Sequence, residues 1–109
     1  MGGFVTGDIV IVPFPFSDLT GAKRRPALVV AELSGADGIL AEITSQPHHD
    51  GYSIPLTAAG FAEGGLPHDS FIRINRLFTA DAAIVIRRAG RLRADRMAVV
   101  SCRLRDLFA

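Results

Sequence analysis

The sequence GDIVIVPFPFSDLTGAKRRPALVV, residues 7–30, decides how the chain begins to fold. Its two ends, residues 8–12 and 27–30, are runs of apolar and β-branched residues, which favour β-strands. The prolines of the PFPF segment are expected to stop the first strand at its exposed end. The stretch therefore predicts two strands joined by a long polar loop, with Lys23, Arg24 and Arg25 where the loop re-enters the second strand.

The apolar spacing in the rest of the chain predicts four more strands and one helix. The strands are expected at residues 39–43, 52–56, 71–75 and 83–88, and residues 57–70 are expected to form an irregular connection. In the last sixteen residues the apolar positions recur three and four residues apart, as on one side of a helix. These positions are Met97, Val100, Leu104, Leu107 and Phe108. The pattern implies a mainly β fold, a strongly bent antiparallel sheet or partly open barrel, with the helix covering one opening.

Length and composition predict one globular domain. A chain of 109 residues is long enough to bury one core and too short for two, so a single domain over residues 1–109 is expected. No apolar run approaches the roughly 20 residues that a membrane span needs. The N-terminus lacks a cationic region followed by an apolar segment, so we expect a cytoplasmic protein with no membrane partner. The single cysteine, Cys102, excludes an internal disulfide and a multi-cysteine zinc site.

Charge is distributed unevenly along the chain. Residues 1–70 hold three cations and eight acids, a net charge of −5, whereas residues 71–109 hold nine arginines and three acids, a net charge of +6. Arginine predominates among the cations, and its planar fork suits bidentate contact with phosphate. The arginines are consistent either with binding of a polyanion or with an ordinary solvated surface.

The cations before the second strand suggest a site for a phosphate. Arg25 precedes Pro26, which favours an extended backbone and gives the guanidinium a rigid base. Attack of a ribose 2′-hydroxyl on the adjacent phosphate builds negative charge that a fixed guanidinium stabilises without a metal. The structural alternative is that Arg25 pairs with an acid such as Asp18 or Glu42.

Polar residues follow the third predicted strand. Thr44, Ser45 and Gln46 carry hydroxyl and amide groups that can donate to a phosphate or hold a base edge, although polar residues also end strands for ordinary reasons. His48 and His49 come next, and histidine can transfer protons near neutral pH, but loop histidines are often solvent-exposed bystanders. The spacing of the histidines and neighbouring aspartates is not that of a metal site, so no metal is expected.

Three ordered blocks of the sequence resemble the MazF/PemK family of bacterial toxin endoribonucleases, and the PFPF-type branch in particular. Residues 7–30 resemble the family's first hairpin, and ITSQ at residues 43–46 resembles its threonine-containing strand end. SFIRINRLFTAD at residues 70–81 and RRAGRL at residues 87–92 resemble its late strands. Many members carry an acid a few residues before the catalytic arginine, whereas this chain has LTGA there and its nearest acid is Asp18.

The resemblance implies an SH3-like barrel shared with the CcdB toxins and a homodimeric toxin of a type II toxin-antitoxin system. It implies a metal-independent, cofactor-free, sequence-selective endoribonuclease that cleaves single-stranded mRNA and leaves a 2′,3′-cyclic phosphate and a 5′-hydroxyl. It also implies a cognate antitoxin, with DNA reached only through the antitoxin complex. The family's catalytic arginine and threonine fall on Arg25 and Thr44. The residues assigned to RNA binding are Lys23, Arg24, Ser45, Gln46 and Arg73.

Two other functions are compatible with the same resemblance. The shared barrel permits a non-enzymatic inhibitor that binds gyrase, as the CcdB toxins do. A catalytically silent module that engages an antitoxin or an operator complex is the second alternative. Inhibition of supercoiling without RNA cleavage would favour the first, and co-purification with a small upstream-encoded protein, with neither activity, would favour the second.

Overall fold

The computed structural model describes residues 3–14 and 23–109. The described part of the chain contains seven strands and one α-helix. The strands are β1 Asp8–Phe14, β2 Lys23–Glu32, β3 Asp37–Thr44, β4 Ser53–Leu56, β5 Phe61–Gly64, β6 Ser70–Asp81 and β7 Arg87–Leu92. The helix, α1, is Ala94–Phe108, and two short 3-10 turns lie at Ala58–Gly60 and Ala82–Ile84.

All seven strands form one antiparallel sheet in the order β4-β6-β3-β2-β1-β7-β5. The two edge strands, β4 and β5, have four residues each and do not pair with one another. The described residues extend 30 Å along each principal axis. A flat sheet is thin in one direction, so these equal dimensions show that the sheet curls into a half-barrel. The predicted bent antiparallel sheet with one C-terminal helix is confirmed.

The central strands are buried on both faces, which explains their continuous apolar sequences. Ile9 and Ile11 of β1 belong to one apolar cluster, whereas Val10 and Val12 belong to a second. Side chains alternate between the two faces of a strand, so the clusters lie on opposite sides of the sheet. The first cluster is the larger, and the second is closed by Phe4 from the N-terminal segment.

Helix α1 packs against the larger cluster through the predicted stripe. Val100 has no exposed surface, and Met97 and Leu104 pack partly buried on the same cluster. The facing residues include Ile54 and Leu56 of β4. The helix therefore closes the side of the half-barrel next to the edge strand β4.

The first two strands are longer than the sequence predicts. Pro13 does not stop β1, because it lies opposite Arg24 in the ladder with β2. Pairing with β7 has already ended at Ile11, so the missing N–H of this proline costs no ladder bond on that side. Strand β2 begins at Lys23, four residues earlier than predicted, so the basic residues lie within the strand and not before it.

Two predictions in the second half of the chain are wrong. Residues 57–70 are not wholly irregular, since they contain a 3-10 turn and the strand β5, which pairs with β7. Gly90 permits this pairing, because a Cβ there would meet the carbonyl oxygen of Glu63. Residues 83–88 are not one strand. The Asp81 carboxylate accepts a hydrogen bond from the N–H of Ala83 at 2.8 Å, which starts a 3-10 turn, and β7 begins only at Arg87.

Strand β6 is interrupted by a bulge opposite β3. Ala41 pairs with Leu77 and the next residue, Glu42, pairs with Arg73, so residues 74–76 are extra on the β6 side. The N–H of Ile74 bonds to the carbonyl of Tyr52 instead, at 3.1 Å. The bulge explains why β6 continues well beyond the predicted strand at residues 71–75. Across the described residues, no helix has both the length and the apolar character needed to cross a membrane.

Candidate active site

One edge of the sheet collects the ends of several strands that are distant in sequence. Strands β2, β6 and β7 begin there and β3 ends there, because neighbouring strands of the sheet run in opposite directions. Ile11 of β1 pairs with Pro26 on one side and with Arg87 on the other. Thr44 of β3 pairs with Phe71 of β6. The register therefore brings the start of β2, the end of β3 and the start of β7 to one place.

A pocket of about 490 Å³ lies at this edge, a volume within the usual range for ligand sites. Its apolar lining includes Ile11, Pro26 and Ile43 from three adjacent strands. Residues 66–68, which follow β5, form another part of its wall. Leu66 is partly buried and packs on the larger apolar cluster, which anchors that wall. We call this space the strand-end pocket.

Four cations line the strand-end pocket, namely Lys23, Arg24, Arg25 and Arg87. Within residues 3–14 and 23–109, none of them has an ion-pair partner. Arg25 forms no ion pair with Glu42, which instead lies 3.7 Å from Arg73 and 3.6 Å from Arg76. Asp18, the other acid considered, lies outside the described residues. Four cations without acidic neighbours among the described lining residues give the pocket a charge that suits an anion.

Thr44 contributes a buried hydroxyl residue to the pocket. It is 8% exposed, and its Oγ1 accepts a hydrogen bond from the N–H of Gln46 at 3.1 Å. A threonine hydroxyl that accepts one bond still has its own hydrogen to donate. Ser45 also lines the pocket, and it follows Thr44 in the turn that this hydrogen bond closes. The end of β3 therefore presents hydroxyl donors beside the cations of β2.

The structure brings together five of the seven residues that the sequence assigns to the site. Lys23, Arg24, Arg25, Thr44 and Ser45 all line the strand-end pocket. Gln46 is exposed and lies two residues beyond Thr44, and its backbone N–H donates to the Thr44 hydroxyl. Arg73 is not among the lining residues described, and neither are His48 and His49.

Arg73 instead joins an ion-pair network on the loop that follows β3. Its side chain is 12% exposed and lies 3.2 Å from Asp50 and 3.7 Å from Glu42. The N–H of Tyr52 and the guanidinium of Arg73 lower the pKa of Asp50 from its ordinary value of 3.8. Arg103 of the helix donates to the carbonyl of Gly51 at 2.6 Å. These bonds fix the loop that begins at Thr44.

Two ionisable lining residues, Arg87 and His68, are not assigned to the site from the sequence. Arg87 belongs to the RRAGRL block, but nothing local distinguishes it from Arg88 beside it. His68 lies in a segment that reads as an irregular connection, far along the chain from the basic residues. The pairing of β5 with β7 and of Thr44 with Phe71 brings that segment to the pocket wall.

The described residues contain no group of three or more His, Cys, Asp or Glu placed to hold a metal ion. The donors of the pocket are cationic and hydroxyl groups, which suit phosphate oxygens. Fold and site together define a small half-barrel protein with a cation-lined pocket at the strand ends of its sheet.

Comparison with known proteins identifies the family. The family model described as PemK-like, MazF-like toxin of type II toxin-antitoxin system matches residues 6–108. The chain therefore belongs to the MazF/PemK family of toxins, as its three sequence blocks predict. No curated protein sequence matches it.

Solved structures support the fold assignment. The Mycobacterium tuberculosis toxin MazF-mt6 superposes with a TM-score of 0.72 at 19% identity, covering 93% of this chain and 95% of that chain. A MazE-MazF crystal structure from Deinococcus radiodurans superposes with a TM-score of 0.71 at 20% identity, covering 100% of this chain and 98% of that chain. An endoribonuclease in complex with its cognate antitoxin, from a mycobacterial species, superposes with a TM-score of 0.73 at 13% identity. The match covers 99% of this chain and 95% of that chain. The half-barrel with its C-terminal helix is thus the fold of these toxins.

Proposed function

We propose that this chain is a metal-independent endoribonuclease that cleaves single-stranded mRNA by attack of a ribose 2′-hydroxyl on the adjacent phosphate. The observation that carries the proposal is the position of Arg25 and Thr44 in one cationic pocket of a MazF/PemK toxin. The nucleophile comes from the RNA itself, so the protein has to position the phosphate and stabilise charge.

We assign Arg25 the role of stabilising the transition state. It lies in β2, paired with Val12 and followed by Pro26, so its backbone is fixed by a central ladder of the sheet. As the 2′-oxygen bonds to phosphorus, negative charge grows on the non-bridging oxygens. A guanidinium fixed before the reaction stabilises that charge without reorganising. The products are a 2′,3′-cyclic phosphate and a 5′-hydroxyl.

Thr44 supplies a hydroxyl donor beside this guanidinium. Its oxygen is held by the Gln46 N–H, which orients the hydroxyl. We assign it the role of donating to a non-bridging phosphate oxygen or orienting the 2′-hydroxyl. Lys23, Arg24, Ser45 and the nearby Gln46 then hold the RNA on either side. Arg73 is left out of this set because Asp50 and Glu42 hold its guanidinium.

The proposed partners follow from the family and its solved members. Two of the similar structures are complexes of a toxin with an antitoxin. We propose that a cognate antitoxin neutralises this chain, that the active toxin is a homodimer, and that it acts in the cytoplasm. An open pocket whose cations have no acidic partner among the described residues suits an acidic antitoxin segment as well as RNA.

The test is cleavage of a long single-stranded transcript by the purified chain in EDTA. We expect the wild type to cut the RNA at defined sites, with a cyclic phosphate on each upstream fragment. Arg25→Ala should lower kcat/KM by about 10²–10³-fold, the loss typical of one transition-state donor. Thr44→Val removes the hydroxyl at nearly constant volume and should also reduce cleavage. Thr44→Ser keeps the hydroxyl and should retain cleavage.

Arg105→Ala is the matched control, because it removes the same charge from an exposed position of the helix that is not part of the pocket. It should cleave like the wild type. RNA left equally intact by the wild type and by Arg25→Ala would contradict the proposal. Inhibition of gyrase supercoiling by such an inactive chain would support the non-enzymatic alternative.

A further inference from the structure

Transesterification of RNA requires a group that removes a proton from the 2′-hydroxyl. A neutral hydroxyl is a weak nucleophile, and a positioned base accelerates such a step by about 10²–10⁴-fold. Arg25 and Thr44 do not supply this function, because a guanidinium holds its proton at all ordinary pH values and a hydroxyl is too weak a base. A base in this pocket has a role only if the chain is the proposed ribonuclease.

The described lining of the strand-end pocket offers one side chain of suitable chemistry. Its charged members are the four cations from β2 and β7, and arginine and lysine side chains carry their protons at neutral pH. The serine and threonine hydroxyls donate but do not take up a proton. His68 is the remaining ionisable group, and histidine changes its protonation state between pH 5 and 8.

The backbone around His68 is held in place at the pocket wall. The Ser70 hydroxyl donates to the His68 carbonyl at 2.9 Å, and Ser70 is only 5% exposed. Two residues earlier, Leu66 is anchored in the larger apolar cluster. The imidazole makes no hydrogen bond to another described residue, so both of its ring nitrogens are available to a substrate. A fixed backbone and an uncommitted ring suit a proton acceptor.

We propose that His68 is the general base of RNA cleavage. The neutral imidazole takes the proton of the 2′-hydroxyl as O2′ bonds to phosphorus, with Arg25 stabilising the non-bridging oxygens. The bond from phosphorus to O5′ then breaks, and O5′ takes a proton from water. The resulting imidazolium returns its proton to solvent. No oxidant, metal or further reactant enters the step.

The charges that face His68 are cationic. Lys23, Arg24 and Arg25 lie on β2 and Arg87 lies on β7. Asp69, next in the chain, is exposed and is not among the residues lining the pocket. In the proposed step the neutral imidazole accepts the proton, so activity should rise with pH and then level off.

The experiment starts from a cleavage site mapped in the transcript with the wild-type chain. A short oligonucleotide spanning that site is the substrate. The same oligonucleotide with a 2′-deoxyribose at the attacking nucleotide is the binding probe, because it lacks the nucleophile. His68→Gln should lower kcat/KM at pH 8 by about 10²–10⁴-fold, and its profile from pH 5 to 8 should be flat. Binding of the deoxy probe and the Tm should match the wild type.

His49→Gln is the matched control, since His49 is exposed and is not a described lining residue. It should keep the wild-type rate and pH profile. His68→Ala should regain part of its activity when imidazole is added. Cleavage by His68→Gln at the wild-type rate, or loss of deoxy-probe binding in that variant, would overturn the base assignment alone. A transcript that the wild type leaves intact would overturn both the ribonuclease and its base.

Discussion

At the scale of single residues, two adjacent arginines have different surroundings. Arg88 lies 3.2 Å from Asp8 and 3.0 Å from Glu63. Its pKa is raised mainly by the hydrogen bond to Glu63 and, to a smaller extent, by the one to Asp8. Arg87 lines the strand-end pocket and has no ion pair with a described residue. Successive side chains of a strand point to opposite faces, which separates them. Strand β1 lies between the strands of Arg87 and Arg25, so their backbones are about 10 Å apart. Arg87 therefore suits a phosphate next to the one that Arg25 contacts in the same RNA.

We therefore predict that Arg87→Ala weakens RNA binding through a lost phosphate contact. The plot of log affinity against log salt concentration for the deoxy oligonucleotide should become shallower by roughly 0.7, the value for one phosphate of a single strand. Its effect on cleavage should appear in KM and not in kcat. Arg88→Ala removes the same charge from the next residue and should leave the salt slope unchanged. Equal slopes for the wild type and Arg87→Ala would refute the contact.

At the scale of elements, the loop after β3 determines how Thr44 is presented. Asp50 accepts hydrogen bonds from the N–H of Tyr52 at 3.0 Å and from Arg73 at 3.2 Å. Arg73 belongs to β6, beside the bulge that shifts its register against β3. The helix adds the bond from Arg103 to Gly51. The loop is thus tied to a strand and to the helix, which are distant from it in sequence.

The lowered pKa of Asp50 makes this attachment sensitive to acid. The folded chain favours the carboxylate, so its contribution to stability is complete above the ordinary value of 3.8 and is lost as the pH falls through the lowered pKa. Asp50→Asn keeps a side-chain acceptor for the Tyr52 N–H but has no charge to lose. We expect the wild type to have the higher Tm at pH 6 and the difference to shrink towards pH 2.5, as followed by circular dichroism. A difference that stays constant over this range would contradict the role of the charge.

At the scale of the whole molecule, the helix completes a core that the curled sheet leaves open. Val100 has no exposed surface and belongs to the same cluster as Ile54 and Leu92, which lie on strands near opposite ends of the sheet order. Its neighbour Val99 is 45% exposed. The helix therefore joins parts of the sheet that do not pair with each other.

Val100→Ala should accordingly lower the free energy of unfolding by about 2 kcal/mol, since it removes two buried methyl groups and leaves a cavity. Val99→Ala makes the same chemical change at the exposed position and should cost less than about 0.5 kcal/mol. Urea unfolding followed by circular dichroism measures both. Equal losses in the two variants would show that the helix does not close the core through Val100.

The sequence predicted the elements whose signal is local. The apolar runs of β1, β2 and β3 and the period of the helix identified these elements correctly, because one side of each segment must be buried wherever it packs. The strand β5 was missed, since its pairing depends on Gly90, a residue of another strand that admits the close approach. The start of β7 was misplaced because Asp81 caps a turn before it.

By itself, the sequence determined a mainly β chain and singled out the cations of β2, because strand period, proline position and charge are properties of neighbouring residues. The resemblance of its three blocks to the MazF/PemK family pointed to Thr44. The tertiary structure decided which distant side chains share the strand-end pocket. It placed Arg87 and His68 in the wall of the pocket that Arg25 also lines, and it held Arg73 in an ion-pair network elsewhere. Such placement depends on the register between strands far apart in sequence, and no local pattern specifies that register.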